Sequence, residues 1–104
     1  MAQYQPNGTP LTDYEREVLT VLMEECAEVT QAASKLLRFG KENRPEPDGR
    51  PNTEILANEI GDLRYLLTMV RDLDLYNPQI EVAAQERKHD RMRWYMQTKR
   101  TATG

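Results

Sequence analysis

The chain has 104 residues, of which 38% are hydrophobic, and it carries 14 Lys and Arg against 17 Asp and Glu for a net charge of -3. A domain of this length buries only somewhat over about 60% of its unfolded surface, so a modest core and self-association are expected. No run approaches the roughly 18 apolar residues of a membrane span, and the acidic balance argues against a protein whose whole surface binds a nucleic acid polymer.

Residues 1–10 are polar and read as a disordered N-terminal segment, not as a signal peptide. Thr12-Asp13-Tyr14-Glu15 then has the form of a capping box, in which a hydroxyl and a carboxylate each satisfy one orphan backbone amide. The helical block it opens runs to Gly40, a left-handed cap residue, and is long enough to be bent or split near Thr20. Residues 40–52 hold Pro45, Pro47 and Pro51 with Gly40 and Gly49, a composition that gives a long loop. Its Lys41, Arg44 and Arg50, with Arg38 before them, are candidates for a lid, although a solvated loop is the simpler reading.

A second block begins near Asn52 or Thr53 and ends at about Leu73. The third opens at Asn77-Pro78, with Asn at the cap and Pro at the first helical position, and runs to about Gln97; residues 98–104 read as a flexible tail. No segment alternates as a half-buried strand does. The expected fold is all-α, a helical bundle of three to four helices over residues 11–97, completed by oligomerisation. The lone cysteine, Cys26, cannot form an internal disulfide, which fits a reducing compartment and a soluble, cytoplasmic protein.

Charge is segregated along the chain. Residues 11–34 hold six acids against Arg16, whereas residues 85–104 hold six basic residues against Glu86 and Asp90. In the first block the apolar seam of Leu11, Tyr14, Val18, Leu22, Val29, Ala32, Leu36 and Phe39 is interrupted at Glu25, with Glu28 on the same side and Glu24 at its edge. Cys26 lies on the seam and reads as packing.

The second block repeats the anomaly. Its stripe of Leu56, Ile60, Leu63, Leu67 and Val70, broadened by Ile55, Leu66 and Leu73, also takes in Glu59 and Asp62, which are three residues apart and can project toward one point. Carboxylates in a core seam are costly unless paired or metal-bound. Four that converge repel one another, and Mg²⁺ or Mn²⁺ is the cation that suits all-oxygen ligation. The plainer alternative is a salt-bridge network in which arginines such as Arg64 or Arg87 neutralise the acids.

Glu24-Glu25-Cys26-Ala27-Glu28 has the form E-E-x-x-E, and Glu59-Ile60-Gly61-Asp62 has the form E-x-x-D, continued by Gly-Asp-Leu-x-Tyr-Leu-Leu to Leu67. Together these resemble the MazG-like, all-α nucleoside triphosphate pyrophosphohydrolases, over Thr12 to about Tyr95. One departure is the gap between Glu28 and Glu59, lengthened by the proline-rich loop.

The resemblance implies that Glu25, Glu28, Glu59 and Asp62 bind Mg²⁺ and that Glu24 is an outer ligand or orients the water. It implies hydrolysis of a nucleoside triphosphate to the monophosphate and pyrophosphate by a metal-activated water, in control of the nucleotide pool. It further implies a homo-dimer or homo-tetramer, and basic residues of the last helix near the triphosphate.

Among the basic groups, Lys35 lies two turns beyond Glu28 on nearly the same face and is a candidate for phosphate oxygens. In the third block Ile80, Ala84, Arg91 and Tyr95 share a face, so Arg91, with Lys88 at its edge, is expected to point inward toward the same charge; the alternative is that both pair with acids or lie in solvent. Trp94 and Tyr14 are candidates to stack on a base, or are core.

Three rival functions remain. Phosphoribosyl-ATP pyrophosphohydrolase shares the architecture and the acidic motifs. Glu86-Arg87-Lys88-His89 has the E-x-x-H form of di-iron bundles, which use two such motifs where this chain has one histidine. A non-catalytic helical interaction module would tolerate Glu59→Gln and need no Mg²⁺.

Overall fold

The structure is a computed structural model that describes residues 8–46 and 49–98. It contains three helices, α1 (Asp13–Phe39), α2 (Asn52–Asp72) and α3 (Pro78–Tyr95), and no strand among the described residues. The all-α expectation holds. Most of the two expected terminal segments, residues 1–7 and 99–104, lies outside the described residues, as do Pro47 and Asp48 of the loop.

Local hydrogen bonds set the helix ends. The Thr12 hydroxyl accepts from the Glu15 amide at 3.1 Å and the Glu15 carboxylate accepts from the Thr12 amide at 2.8 Å, which completes the capping box. α1 then runs unbroken for 27 residues. It does not split at Thr20, whose hydroxyl donates back to the Arg16 carbonyl at 2.9 Å without opening the ladder.

α1 stops at Gly40, where φ is 86° and ψ is 175°. That is not the left-handed helical cap expected from the sequence but an extended conformation that only glycine adopts at ease, and it turns the chain sharply out of the helix.

The loop folds back on the ends of the helices it joins. Asn52, only 2% exposed, donates from its side chain to the Gly40 carbonyl at 3.1 Å, and its amide donates to the Asn43 carbonyl at 3.0 Å. Arg44 donates to the Gly49 carbonyl and Arg50 pairs with Glu54, so two of the four candidate lid residues are engaged within or beside the loop. A third, Arg38, lies over the ring of Phe39, 4.8 Å from its centroid.

Pro51 precedes α2 without a side-chain cap. At its other end the Asp74 amide donates to the Arg71 carbonyl and the Leu75 amide to the Val70 carbonyl, the hydrogen-bond pattern of a Schellman motif. Asp74 sits at φ 55° in the position that glycine usually fills, and Leu75 packs back against the core.

α1 and α2 pack antiparallel. Val18 meets Leu66 and Val70 at one end, with Leu22, Met69 and Tyr76 around them, while Asn52 joins Gly40 at the other. The centre of the α2 stripe is Leu66 rather than Leu67, which is exposed. Leu11, Tyr14 and Phe39 of the expected α1 seam are exposed as well, and so is Cys26, which does not pack in the core.

α3 opens with the expected cap, the Asn77 side chain accepting from the Gln79 amide at 2.9 Å, and ends at Tyr95, two residues before Gln97. None of its residues is buried, and it makes no contact with α1 or α2 comparable to theirs with each other. The expected inward face of Ile80, Arg91 and Tyr95 is therefore exposed in the single chain, and Trp94 is not core. Within one chain the architecture is a two-helix layer with a third helix largely unpacked. No described helix is long and apolar enough to cross a membrane.

Candidate metal centre

Midway along the α1–α2 pair, carboxylate oxygens of Glu25, Glu59 and Asp62 all lie within 4.8 Å of one another. Antiparallel packing brings this about. With Val18 against Leu66 and Asn52 against Gly40, the middle turns of α1, which carry Glu25, must face the middle turns of α2, which carry Glu59 and Asp62. Glu25 and Glu59 are half-buried and Asp62 is exposed at the edge.

The electrostatics are those of like charges held close together in a poorly solvated recess. The Glu25 carboxyl is raised above the ordinary carboxylate range, first by desolvation and then by Glu28, Asp62 and Glu24. Glu59 is raised first because a side-chain hydrogen bond with Glu28 favours its protonated form, then by desolvation and by the charges of Glu28, Asp62 and Glu25. Every contribution works in the same direction, as like charges in a poorly solvated site require.

Oε2 of Glu25 and Oε2 of Glu59 are both buried without a hydrogen-bond partner. A buried carboxylate oxygen with no donor is costly. Neither Arg64 nor Arg87 pairs with these acids, so the salt-bridge alternative is not what the chain forms among its described residues.

A cleft of about 260 Å³ opens beside the cluster, lined by Glu28, Gln31, Ala32, Lys35, Ile55 and Glu59. It brings Lys35 to the same recess as Glu28 and Glu59, where its spacing from Glu28 placed it. Gln31 and Ile55 were not singled out as site residues; Gln31 stands one turn from both Glu28 and Lys35, a signal that an uncharged side chain did not draw out.

The remaining candidates fall outside this arrangement. Glu24 is exposed and is not among the three converging carboxyls, although its charge reaches Glu25. Lys88 and Arg91 are exposed on α3 and do not enter the electrostatics of Glu25 or Glu59. His89 contacts its neighbour Asp90 at 3.3 Å, and Glu86 and His89 do not form a three-residue metal group among the described residues.

No protein-family profile matches the chain, and comparison with curated proteins and with solved structures found no match. The chemistry therefore rests on the residues themselves. Three converging carboxyls, two of them with an unsatisfied buried oxygen, fit a hard divalent cation that takes oxygen ligands.

Proposed function

We propose that this protein is a Mg²⁺-dependent nucleoside triphosphate pyrophosphohydrolase, releasing pyrophosphate and the nucleoside monophosphate. The observation that carries the reading is the pair of orphaned buried oxygens, Glu25 Oε2 and Glu59 Oε2, from two different helices beside Asp62. Held together at the cost of raised pKa values, these groups are poised to accept a cation. The sequence resemblance supplies the substrate class, since E-E-x-x-E on α1 and E-x-x-D on α2 are the elements that converge.

In this reading Glu25, Glu59 and Asp62 hold Mg²⁺, or Mn²⁺, and Glu28 joins them from its place beside Glu59. The bound ion supplies Lewis acidity toward phosphate oxygens and makes a water nucleophilic near neutral pH. Lys35, in the adjoining cleft, binds phosphate oxygens and offsets their charge. Glu24, outside the three converging carboxyls but near enough for its charge to reach Glu25, orients the attacking water by accepting a hydrogen bond from it. No Ser, Cys or His nucleophile is needed, consistent with an exposed Cys26 and a His89 that is remote in sequence from the motifs.

Self-association belongs to the same proposal. Lys88 and Arg91 reach a triphosphate only if α3 is brought against the α1–α2 layer, which the single chain does not do.

The test is pyrophosphate release from a panel of standard and modified NTPs and dNTPs, with Mg²⁺ and with EDTA, for the wild type and Glu59→Gln. Metal-dependent release that Glu59→Gln lowers by at least about 100-fold, in a protein still helical, is the expected result. Equal release with EDTA, or an active Glu59→Gln enzyme, overturns the reading. Turnover confined to phosphoribosyl-ATP would keep the chemistry and change the substrate.

A further inference from the structure

Two clefts flank the carboxylate cluster on one side of the α1–α2 pair. At about 100° per residue Val21, Glu28 and Lys35 fall within about 40° of one another on α1, and Met69, Asp62 and Ile55 do so on α2. Within each set the spacing is seven residues, about 10.5 Å of helix, so the antiparallel pair presents three levels, each built from both helices. The first level is a cleft of about 240 Å³ lined by Tyr14, Glu17, Val18, Val21, Leu66 and Met69. The second is the carboxylate cluster, and the third is the cleft of about 260 Å³ that holds Gln31, Lys35 and Ile55.

The two clefts differ in chemistry. The third level offers the Lys35 ammonium and the Gln31 amide, donors suited to phosphate oxygens, and the tilt of helical side chains toward the N-terminus favours a Lys35 stem that leans back toward Glu28. The first level offers no cation. Apart from Glu17 its lining is apolar or aromatic, so a phosphate there would be desolvated beside a like charge. Its volume falls below the roughly 300 Å³ at which pockets for drug-sized ligands begin, so it admits a ring system and not an entire nucleotide.

We infer that the substrate lies along this groove in one direction only: its base seats in the Tyr14/Val21/Met69 cleft, its α-phosphate stands at the carboxylates and its leaving pyrophosphate points toward Lys35. The inference rests on the pyrophosphohydrolase reading, because cleavage between the α- and β-phosphates is what puts the nucleoside on one side of the cluster and the pyrophosphate on the other. In that hydrolysis the oxygen of a water bonds to the α-phosphorus, the bond from the α-phosphorus to the α–β bridging oxygen breaks with its electron pair passing to the pyrophosphate, and a proton is released to solvent. Val21 and Glu25, like Leu66 and Asp62, are four residues or about 6 Å apart, which leaves one helical turn for the ribose. Glu24 and Glu28 keep the roles given them above, since neither lines the base cleft.

Two residues set which base is taken. Tyr14, 58% exposed, offers a ring on which a base stacks. Glu17 supplies the polar edge of the same cleft. A carboxylate accepts hydrogen bonds and donates none, so it selects a base that presents an exocyclic amino group, as cytosine, adenine and guanine do. Uracil and thymine are disfavoured, because two carbonyls flank their single N–H and face the carboxylate.

The experiment follows methyl resonances of the full chain in Mg²⁺ during titration with three ligands. Two are CTP and UTP analogues whose α–β bridge is an imido group that resists hydrolysis, and the third is inorganic tripolyphosphate. Met69 reports the first cleft and Ile55 the third, while Met23, 72% exposed and about 160° around α1 from Val21, is the control. The CTP analogue is expected to shift Met69 and Ile55 but not Met23, and tripolyphosphate to shift Ile55 but not Met69. The UTP analogue is expected to bind at least about fivefold more weakly than the CTP analogue. Tyr14→Ala should weaken the CTP analogue at least about fivefold. Glu17→Gln, an isosteric change at an exposed position, should bring the two analogues within about twofold of each other. A nucleotide that moves Ile55 and leaves Met69 still overturns the inference while the pyrophosphohydrolase reading stands. So does a shift of Met69 by tripolyphosphate, or one of Met23 as large as that of Met69, because the first cleft is then no seat for the base. An undiminished cytosine preference in Glu17→Gln overturns the assignment to Glu17. Silence of both Met69 and Ile55 toward every triphosphate removes the pyrophosphohydrolase reading and this inference with it.

Discussion

Glu25 on α1 and Glu59 on α2 offer carboxylate oxygens within 4.8 Å of each other, and in each residue Oε2 is buried without a hydrogen-bond partner. Two like charges facing across a helix pair work against the packing that brings them there. The arrangement is favourable only when something neutralises them, a proton or a cation.

Mg²⁺ binding is the first consequence. Calorimetric titration of the wild type is expected to show binding of Mg²⁺ and Mn²⁺, weakened at least about tenfold by Glu59→Gln or Asp62→Asn. Because the raised carboxyls must lose their protons to coordinate a metal, affinity is expected to rise with pH and binding to release protons, visible as a heat that depends on the buffer.

Stability of the metal-free protein should respond to pH in a definite sense. Glu25 and Glu59 are raised above the ordinary carboxyl value of 4.5, so between that pH and their folded values the native state holds more protons than the unfolded state. The stability they contribute is present below 4.5 and is lost as pH rises through the folded values. In EDTA, Glu59→Gln is therefore expected to melt above the wild type at pH 8, with the gap closing toward pH 4.5. Saturating Mg²⁺ should reverse the order at pH 8. Thermal melts at several pH values, with EDTA and with Mg²⁺, read all three.

The join between α1 and α2 rests on Gly40 and Asn52. Gly40→Ala meets no neighbouring atom, yet it must hold φ 86°, ψ 175°, and is expected to cost about 1–3 kcal/mol. Asn52→Ala removes the donor to the Gly40 carbonyl and is expected to cost a similar amount, about 1–3 kcal/mol. Urea denaturation of the two variants and of their combination should show sub-additive losses, because both act on the same hydrogen bond.

The end of α2 offers the opposite effect. Asp74 occupies the left-handed position of the Schellman motif at φ 55°, where a side chain is disfavoured. Asp74→Gly is expected to stabilise the protein by about 1 kcal/mol in the same urea assay, without altering Mg²⁺ affinity.

Much of this could be read along the chain. The starts of α1 and α3 follow from Thr12 with Glu15 and from Asn77 with Pro78, because a cap is a contact between residues two or three apart and needs no tertiary partner. The acids stood out for a similarly local reason. At 100° per residue Glu25, Glu59 and Asp62 share a side with apolar residues, whatever they later face. Asp74 was not foreseen as a helix terminator, since its conformation is one that glycine ordinarily takes.

What periodicity leaves open is where along a wide apolar arc the contact with a neighbour falls. In α2 that line passes through Leu66 and exposes Leu67; in α1 it leaves Tyr14 and Cys26 outside.

The sequence by itself determined three helices, most of their ends and the turns of α1 and α2 that carry acids, because backbone hydrogen bonding and helical rotation are set within a few residues. Only the tertiary structure decided which acids meet. Antiparallel packing of α1 on α2 selects Glu25, Glu59 and Asp62, leaves Glu24 outside and opens the cleft that Glu28 shares with Lys35. It also leaves α3, with Lys88 and Arg91, largely unpacked within its own chain. The physical reason is that convergence depends on the rotation and register of one helix against another, which are set by the whole packed interface and by no single segment of it.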